Sequence, residues 1–124
     1  MRTILLVALL ACFVQPLSAQ LYVGPTDINA LDDVYYLQID LRCLFGGFYV
    51  ATVDYGQPDC PALQQRPCRI SLENGDQMQF SSKMAVFNFL RVQGWEFVET
   101  YQTGDADGLD AIHLFRRKPS SGDH

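Results

Sequence analysis

Three aspartates near the C-terminus have a spacing that could bind a cation. Asp105, Asp107 and Asp110 fall within six residues of one another. Calcium prefers clustered carboxylate oxygens, so this loop is a candidate metal site. The match to a twelve-residue calcium loop is poor, because Leu109 stands at the fifth position and Arg116 at the twelfth, where a bidentate Glu is needed. We therefore interpret the segment as a polar hairpin turn, and we predict no metal site and no cofactor.

Cysteine offers a second kind of chemistry. Cys60 and Cys68 lie in a proline-rich connection. We predict a disulfide between them, which would stabilise the fold by about 2–3 kcal/mol in the chain-entropy model. Pairing of Cys43 with either of the two remains open. A zinc site from these cysteines and His113 is formally possible, but the chain has no Cys-x-x-Cys pair and its spacings match no common zinc module.

Cys43 and His113 are the pair that could support a thiol-dependent enzyme. Cys43 lies on the apolar face of a predicted strand and is expected to behave as a small buried hydrophobe. His113 lies on the apolar face of another strand, where a hydrogen-bonded core role is the more common one. Catalysis would need the two side chains in contact and open to substrate, and nothing in the sequence requires this. We therefore predict no catalytic residue and keep the thiol enzyme as the alternative.

The N-terminal segment predicts where the protein goes. Arg2 is followed by eleven uninterrupted apolar residues, Ile4 to Val14, and then by the small residues Ser18 and Ala19. This layout is typical of a secretory signal peptide, which we assign to residues 1–19. The apolar run is too short for a transmembrane helix, which needs about 20 residues. We expect a periplasmic or secreted protein, with a lipoprotein anchored at Cys12 as the lesser alternative.

The charge of the remaining chain limits its partners. Cleavage would leave 105 of the 124 residues, with eight basic and fourteen acidic side chains. A small acidic domain is repelled by phosphate backbones, which argues against nucleic acid as a partner. The basic cluster 116–118 is interpreted as a solvated strand end. We expect a protein or an envelope component as the partner.

Two predicted hairpins precede the helix. Alternating apolar residues predict strands over 34–45 and 48–55, joined by a three-residue loop, 46–48, that pairs Leu41 with Val53 and Cys43 with Ala51. A second hairpin, over 69–72 and 77–80, turns at 74–76 and pairs Leu72 with Met78.

One helix and two more strands complete the predicted domain. Ser81 or Ser82 caps a helix that ends at Gly94 and presents an apolar stripe that includes Val92. Strands follow over 95–101 and 109–115, around a loop at 102–108, and Phe97 and Glu99 share a face. The sequence therefore predicts an α+β fold, an antiparallel sheet of order β-β-β-β-α-β-β with one helix on a face. We assign 20–33 to an irregular lead-in, 34–118 to a single domain and 119–124 to a disordered tail.

Several short motifs resemble those of a group of uncharacterised small exported proteins of Bacteroidetes-type bacteria. The matching segments, within residues 48–117, are Val53-Asp54-Tyr55-Gly56-Gln57, Asn74-Gly75, Phe80-Ser81-Ser82, Asn88-Phe89-Leu90, Gln93-Gly94-Trp95-Glu96-Phe97-Val98 and Tyr101. The resemblance implies an α+β fold and export, and it supplies no catalytic residues. The Cys60–Cys68 segment departs from the pattern. Gly94, Trp95, Glu96 and Phe97 form a structural motif, in which Gly94 ends the helix and the aromatic residues anchor the strand. Our leading hypothesis is a non-catalytic binding or structural module.

Overall fold

The computed structural model describes residues 20–58, 68–105 and 108–119. Within them, the elements are β1 (Tyr22–Val23), β2 (Thr26–Asp27), a 3-10 helix (Ile28–Ala30), β3 (Tyr36–Cys43), β4 (Tyr49–Asp54), β5 (Ile70–Ser71), α1 (Lys83–Val92), β6 (Trp95–Asp105) and β7 (Gly108–Arg117). A four-stranded antiparallel sheet of order β4-β3-β7-β6 lies beside a small sheet of order β2-β1-β5, and α1 packs on the larger sheet. The predicted α+β class is confirmed.

The first hairpin keeps its predicted faces but not its predicted register. Leu41 pairs with Ala51 and Cys43 with Tyr49, two residues from the predicted partners. A shift of two leaves every side chain on the same face, so the apolar positions still meet. The loop is 45–47, one residue earlier than predicted, and its third residue, Gly47, has a φ of 81°. Three-residue hairpin loops need a left-handed residue at that position, which explains the shift.

The second hairpin is shorter than predicted, and its predicted register is also wrong by two residues. The Leu72 amide donates to the Asp76 carbonyl at 2.8 Å, so Leu72 lies opposite Asp76 and not Met78. The loop is 73–75, and Gly75 takes the left-handed third position with a φ of 92°. The segment predicted as a strand over 77–80 forms only isolated bridges, one of which joins Phe80 to Tyr49 of β4. Among the described residues five strands, β1 to β5, precede α1 and two follow it, whereas the sequence predicts four before the helix and two after it.

The predicted irregular lead-in, 20–33, is part of the domain. It contains β1, β2 and the 3-10 helix, and its side chains Leu21, Val23 and Ile28 are buried in the core. The Asp27 carboxylate accepts hydrogen bonds from the Leu21 and Asn29 amides, both at 3.1 Å, which fixes the turn. The domain therefore begins near residue 21 rather than at 34.

The helix begins and ends where its sequence predicts. The Ser82 hydroxyl accepts a hydrogen bond from the Ala85 amide at 3.1 Å, and Gly94 follows the last turn with a φ of 94°. Val86 and Leu90 are buried against the sheet. Val92, predicted to lie in the apolar stripe, is exposed. It lies six residues after Val86, and at about 100° per residue this places it away from the sheet.

The β6–β7 hairpin is longer than predicted. Its pairing continues to Asp105 and Gly108, so most of the predicted loop at 102–108 is strand. A β-bulge between Phe97 and Glu99 inserts one extra residue. Thr100 consequently pairs with His113 and shares the face of Phe97, whereas the sequence placed Glu99 there.

Several predictions concern residues outside the ranges that the structure describes. The predicted signal peptide, 1–19, lies there, as do Cys60, Asp107 and residues 120–124 of the predicted tail. In the part of the chain that the structure describes, no helix is long and apolar enough to cross a membrane.

Candidate functional site

Cys43 is exposed and carries a free thiol, so its predicted burial is wrong. Burial along β3 falls towards the turn: Leu37 and Ile39 are fully buried, Leu41 is half-buried, and Phe45 beyond the strand is fully exposed. The end of this hairpin extends beyond the core, which an alternating pattern alone cannot reveal.

His113 is a hydrogen-bonded and largely buried residue, as predicted. Its Nδ1 lies 2.7 Å from the Thr100 hydroxyl, and its ring packs edge-on to Phe87 at 5.0 Å between centroids. Burial lowers the pKa of His113, and the positive charge of Lys83 lowers it further, while Asp40 opposes the shift.

The structure does not bring Cys43 and His113 together. His113 pairs with Ile39 on β3, and Cys43 lies four residues further along the same strand. At about 3.3 Å per residue the two positions are roughly 13 Å apart along the sheet. The thiol–imidazole contact needed by the alternative, a thiol-dependent enzyme, is therefore not formed.

The aspartates and the remaining cysteines that the sequence singled out are only partly described by the structure. Asp110 is exposed on β7 opposite Thr103, and the side chain of Asp105 lies outside the description together with Asp107. Among the described residues, no three His, Cys, Asp or Glu side chains are grouped to hold a metal ion. Cys68 is buried, and its pairing with Cys60 stays a prediction.

The predicted structural motif after the helix anchors the start of β6. The Trp95 indole is buried and donates from Nε1 to the Asn29 side-chain oxygen at 2.7 Å. The Arg117 guanidinium lies 4.9 Å from the Trp95 ring, a cation–π distance. Glu96 accepts from Arg116 at 2.5 Å on the opposite face of the sheet. Phe97 is left 47% exposed.

Arg117 has a structural role that the sequence did not reveal. We predicted a solvated cluster at 116–118, but the Arg117 guanidinium donates to four backbone carbonyls of the N-terminal segment, Ile28, Asn29, Leu31 and Val34, at 2.8–3.3 Å. This explains how the segment before β3 is held against the sheet. Spacing gives no signal for such a contact, because the partners are backbone atoms more than 80 residues away.

An open cleft lies between α1 and the beginning of β6. Its volume is about 320 Å³, at the lower end of the roughly 300–1,000 Å³ of small-ligand sites. Its apolar wall is an aromatic cluster, in which the ring centroids of Phe87, Phe97 and Phe115 lie 5.2–5.7 Å apart. The lining residues are Phe87, Asn88, Arg91, Trp95, Glu96, Phe97, Phe115 and Lys118.

The charges around the cleft are unbalanced. Arg91 and Lys118 are exposed and form no ion pair with any described residue, whereas Glu96 is already paired with Arg116. These two positive charges stand on a chain whose net charge is −5. The sequence showed each residue separately, but only the packing of α1 beside β6 places both at one cleft.

The cleft therefore combines an apolar wall, two cations without an ion pair among the described residues, and an opening to solvent. Such an arrangement can hold an apolar group that carries a negative charge. Comparison with known proteins adds no further constraint: no family model, no curated protein and no solved structure matches this chain.

Proposed function

We propose that this protein is a non-catalytic binding module of the periplasm or the cell exterior, and that it binds a protein or envelope component through the α1–β6 cleft. One observation carries the proposal: a half-exposed aromatic side chain, Phe97, stands in an open cleft beside two cations that form no ion pair with the described residues. Apolar surface that remains open in a folded domain commonly marks a contact site.

The placement of the titratable groups supports binding rather than catalysis. His113 is bonded to Thr100, Glu96 is held by Arg116, and Cys43 stands far from His113. Each of these three side chains thus has a structural contact or stands apart from the group that could activate it. The N-terminal sequence supports export, because residues 1–19 have the layout of a signal peptide.

The binding proposal can be tested with anilinonaphthalene sulfonate, a small apolar anion. Trp95 is the chain's one tryptophan and lines the cleft, so energy transfer from it to the dye reports binding, and substitution of a cleft residue locates the site. We expect saturable binding to one site. Phe97→Ser should weaken it about fivefold, equivalent to losing about 1 kcal/mol of apolar contact.

A matched control is Phe45→Ser, which removes a fully exposed phenylalanine at the tip of the β3–β4 hairpin and should leave binding unchanged. Absence of saturable binding, or equal weakening by both substitutions, would contradict the proposal.

Export is tested separately by the intact mass of the protein recovered from its native cells. We expect a chain that begins at Gln20 in the periplasm or the medium. A lipidated chain beginning at Cys12 would establish a membrane anchor instead. A cytosolic protein that retains residues 1–19 would overturn export without affecting the cleft.

A further inference from the structure

We propose that the cleft binds the C-terminal segment of a partner protein as an added β-strand that runs antiparallel to β6. An apolar side chain of that segment occupies the cleft, and its terminal carboxylate lies beside Arg91 and Lys118. This inference rests on the proposed function and names the class of ligand.

The first support is the open edge of β6. The strand is eleven residues long and stands at the end of the four-stranded sheet, paired on one side with β7. No described residue pairs with its other side. A free strand edge presents unpaired backbone donors and acceptors, which an extended peptide can satisfy.

The second support is the direction of the backbone groups. The Arg117 amide donates to the carbonyl of Tyr35, the residue just before β3, and the Lys118 amide donates to the carbonyl of Gly94, the residue just before β6. The backbone groups of alternate residues in a strand point to opposite sides. The N–H and C=O of Arg116 therefore point to β6, towards the backbone of its paired residue Glu96. The N–H and C=O of Phe97 therefore point away from β7, towards the free edge.

The same residue links the edge to the cleft. Phe97 offers its backbone to an added strand while its side chain lines the cleft. Directly paired residues on neighbouring strands place their side chains on the same face of the sheet. A peptide residue that pairs with Phe97 would therefore direct its side chain towards Phe87 and the cleft.

The third support is charge, which fixes the direction of the peptide. α1 ends at Val92, and its last turn leads through Gly94 directly into β6, so an added strand must end or turn away at this point. An antiparallel peptide brings its C-terminus here, next to Arg91 and Lys118. A parallel peptide would bring a positive N-terminus to the same two cations. The helix C-terminus contributes only about half a negative charge, which two full cations outweigh.

The bulge limits how far the added strand can extend. Regular pairing along the edge is interrupted between Phe97 and Glu99. The stretch that precedes the bulge is short, so we expect only the last few residues of the partner to be recognised.

The experiment uses a library of random heptapeptides displayed with free C-termini and selected on the purified protein. We expect recovered peptides to have an apolar side chain near the C-terminus. One recovered peptide is then synthesised with a free carboxylate and as its amide. Amidation should weaken binding roughly tenfold, the size of one charge-assisted contact.

Variants and amide exchange locate the bound peptide. Arg91→Gln and Lys118→Gln should each weaken binding several-fold. Lys83→Gln, at the other end of α1, is the matched control and should not. Peptide should slow hydrogen exchange at the Phe97 amide and leave the Glu96 amide unchanged, because the latter already bonds β7.

The proposal is overturned if no peptide is recovered, if amidation has no effect, or if the Phe97 amide is not protected. Displacement of the dye by dodecanoate, with no peptide recovered, would identify a fatty acid as the ligand and would also overturn it. Saturable dye binding that persists in these cases would leave the proposed function standing. Loss of dye binding as well would remove both.

Discussion

The two edges of the four-stranded sheet differ in what lies beside them. At β4, the Tyr49 amide donates to Phe80 at 2.7 Å and Thr52 forms a bridge with Arg69, so the segment that follows the hairpin covers the edge. At β6, no described segment covers the edge, and an aromatic cleft lies next to it.

The contrast separates stability from binding in one small sheet. Long, open edge strands promote unwanted pairing, and proteins commonly cover, shorten or kink them. Here one edge is covered by the chain itself, and the other is interrupted by a bulge but is not covered by any of the described residues. The β4 edge serves the fold, and our proposal assigns the β6 edge to a partner.

Hydrogen exchange gives the largest expected difference between the edges. The Tyr49 amide is bonded to the Phe80 carbonyl, so its exchange requires opening of the covered edge. It should exchange at least about a hundredfold more slowly than the Phe97 amide. Two-dimensional NMR in heavy water measures both rates. Equal protection at low protein concentration would show that the β6 edge is also covered.

Substitution of one phenylalanine at each edge should separate their contributions to stability. Phe80 is 6% exposed and packs on Phe89 at 5.5 Å, so Phe80→Ala should lower the free energy of unfolding by about 3 kcal/mol. Phe97→Ala removes a half-exposed ring and should cost about 1–2 kcal/mol. Urea denaturation measures both. An equal or greater loss for Phe97→Ala would indicate that the β6 edge is primarily structural.

His113, two residues from Phe115 of the aromatic cluster, should make stability depend on pH. Because the folded protein lowers the pKa of His113 below 6.5, the folded state binds fewer protons than the unfolded chain. The free energy of unfolding should therefore be highest above that value and should fall as the pH drops from 7.5 to 5.5. His113→Gln should reduce this slope in urea denaturation. An unchanged slope would assign it to other groups.

Cys43, at the exposed end of the β3–β4 hairpin, should give the smallest effect. Cys43→Ser should change the free energy of unfolding by less than about 0.5 kcal/mol, as is usual for exposed sites. A thiol reagent should label one cysteine in the folded exported protein and none in the variant. Labelling of further cysteines after unfolding without reductant would contradict the predicted Cys60–Cys68 disulfide.

Local chemistry made part of the fold predictable. Ser82 and Gly94 bound α1 because capping depends only on neighbouring backbone groups. Alternation predicted the faces of β3 and β4 correctly. Their predicted register was wrong by two residues because the loop was placed at 46–48, whereas Gly47 is the third residue of a loop at 45–47. The role of His113 as a hydrogen-bonded residue was also predicted, although its partner, Thr100, was not.

The sequence by itself determined the α+β class, the helix and the shared apolar faces of β3 and β4, because these depend on periodicity and on caps within a few residues. Tertiary structure alone decided that Arg117 binds the N-terminal segment, that a bulge turns Thr100 towards His113, and that Arg91 and Lys118 meet at one cleft beside an open edge. The physical reason is that each of these contacts joins groups distant in the chain. Their energies appear only after the sheet and helix have packed.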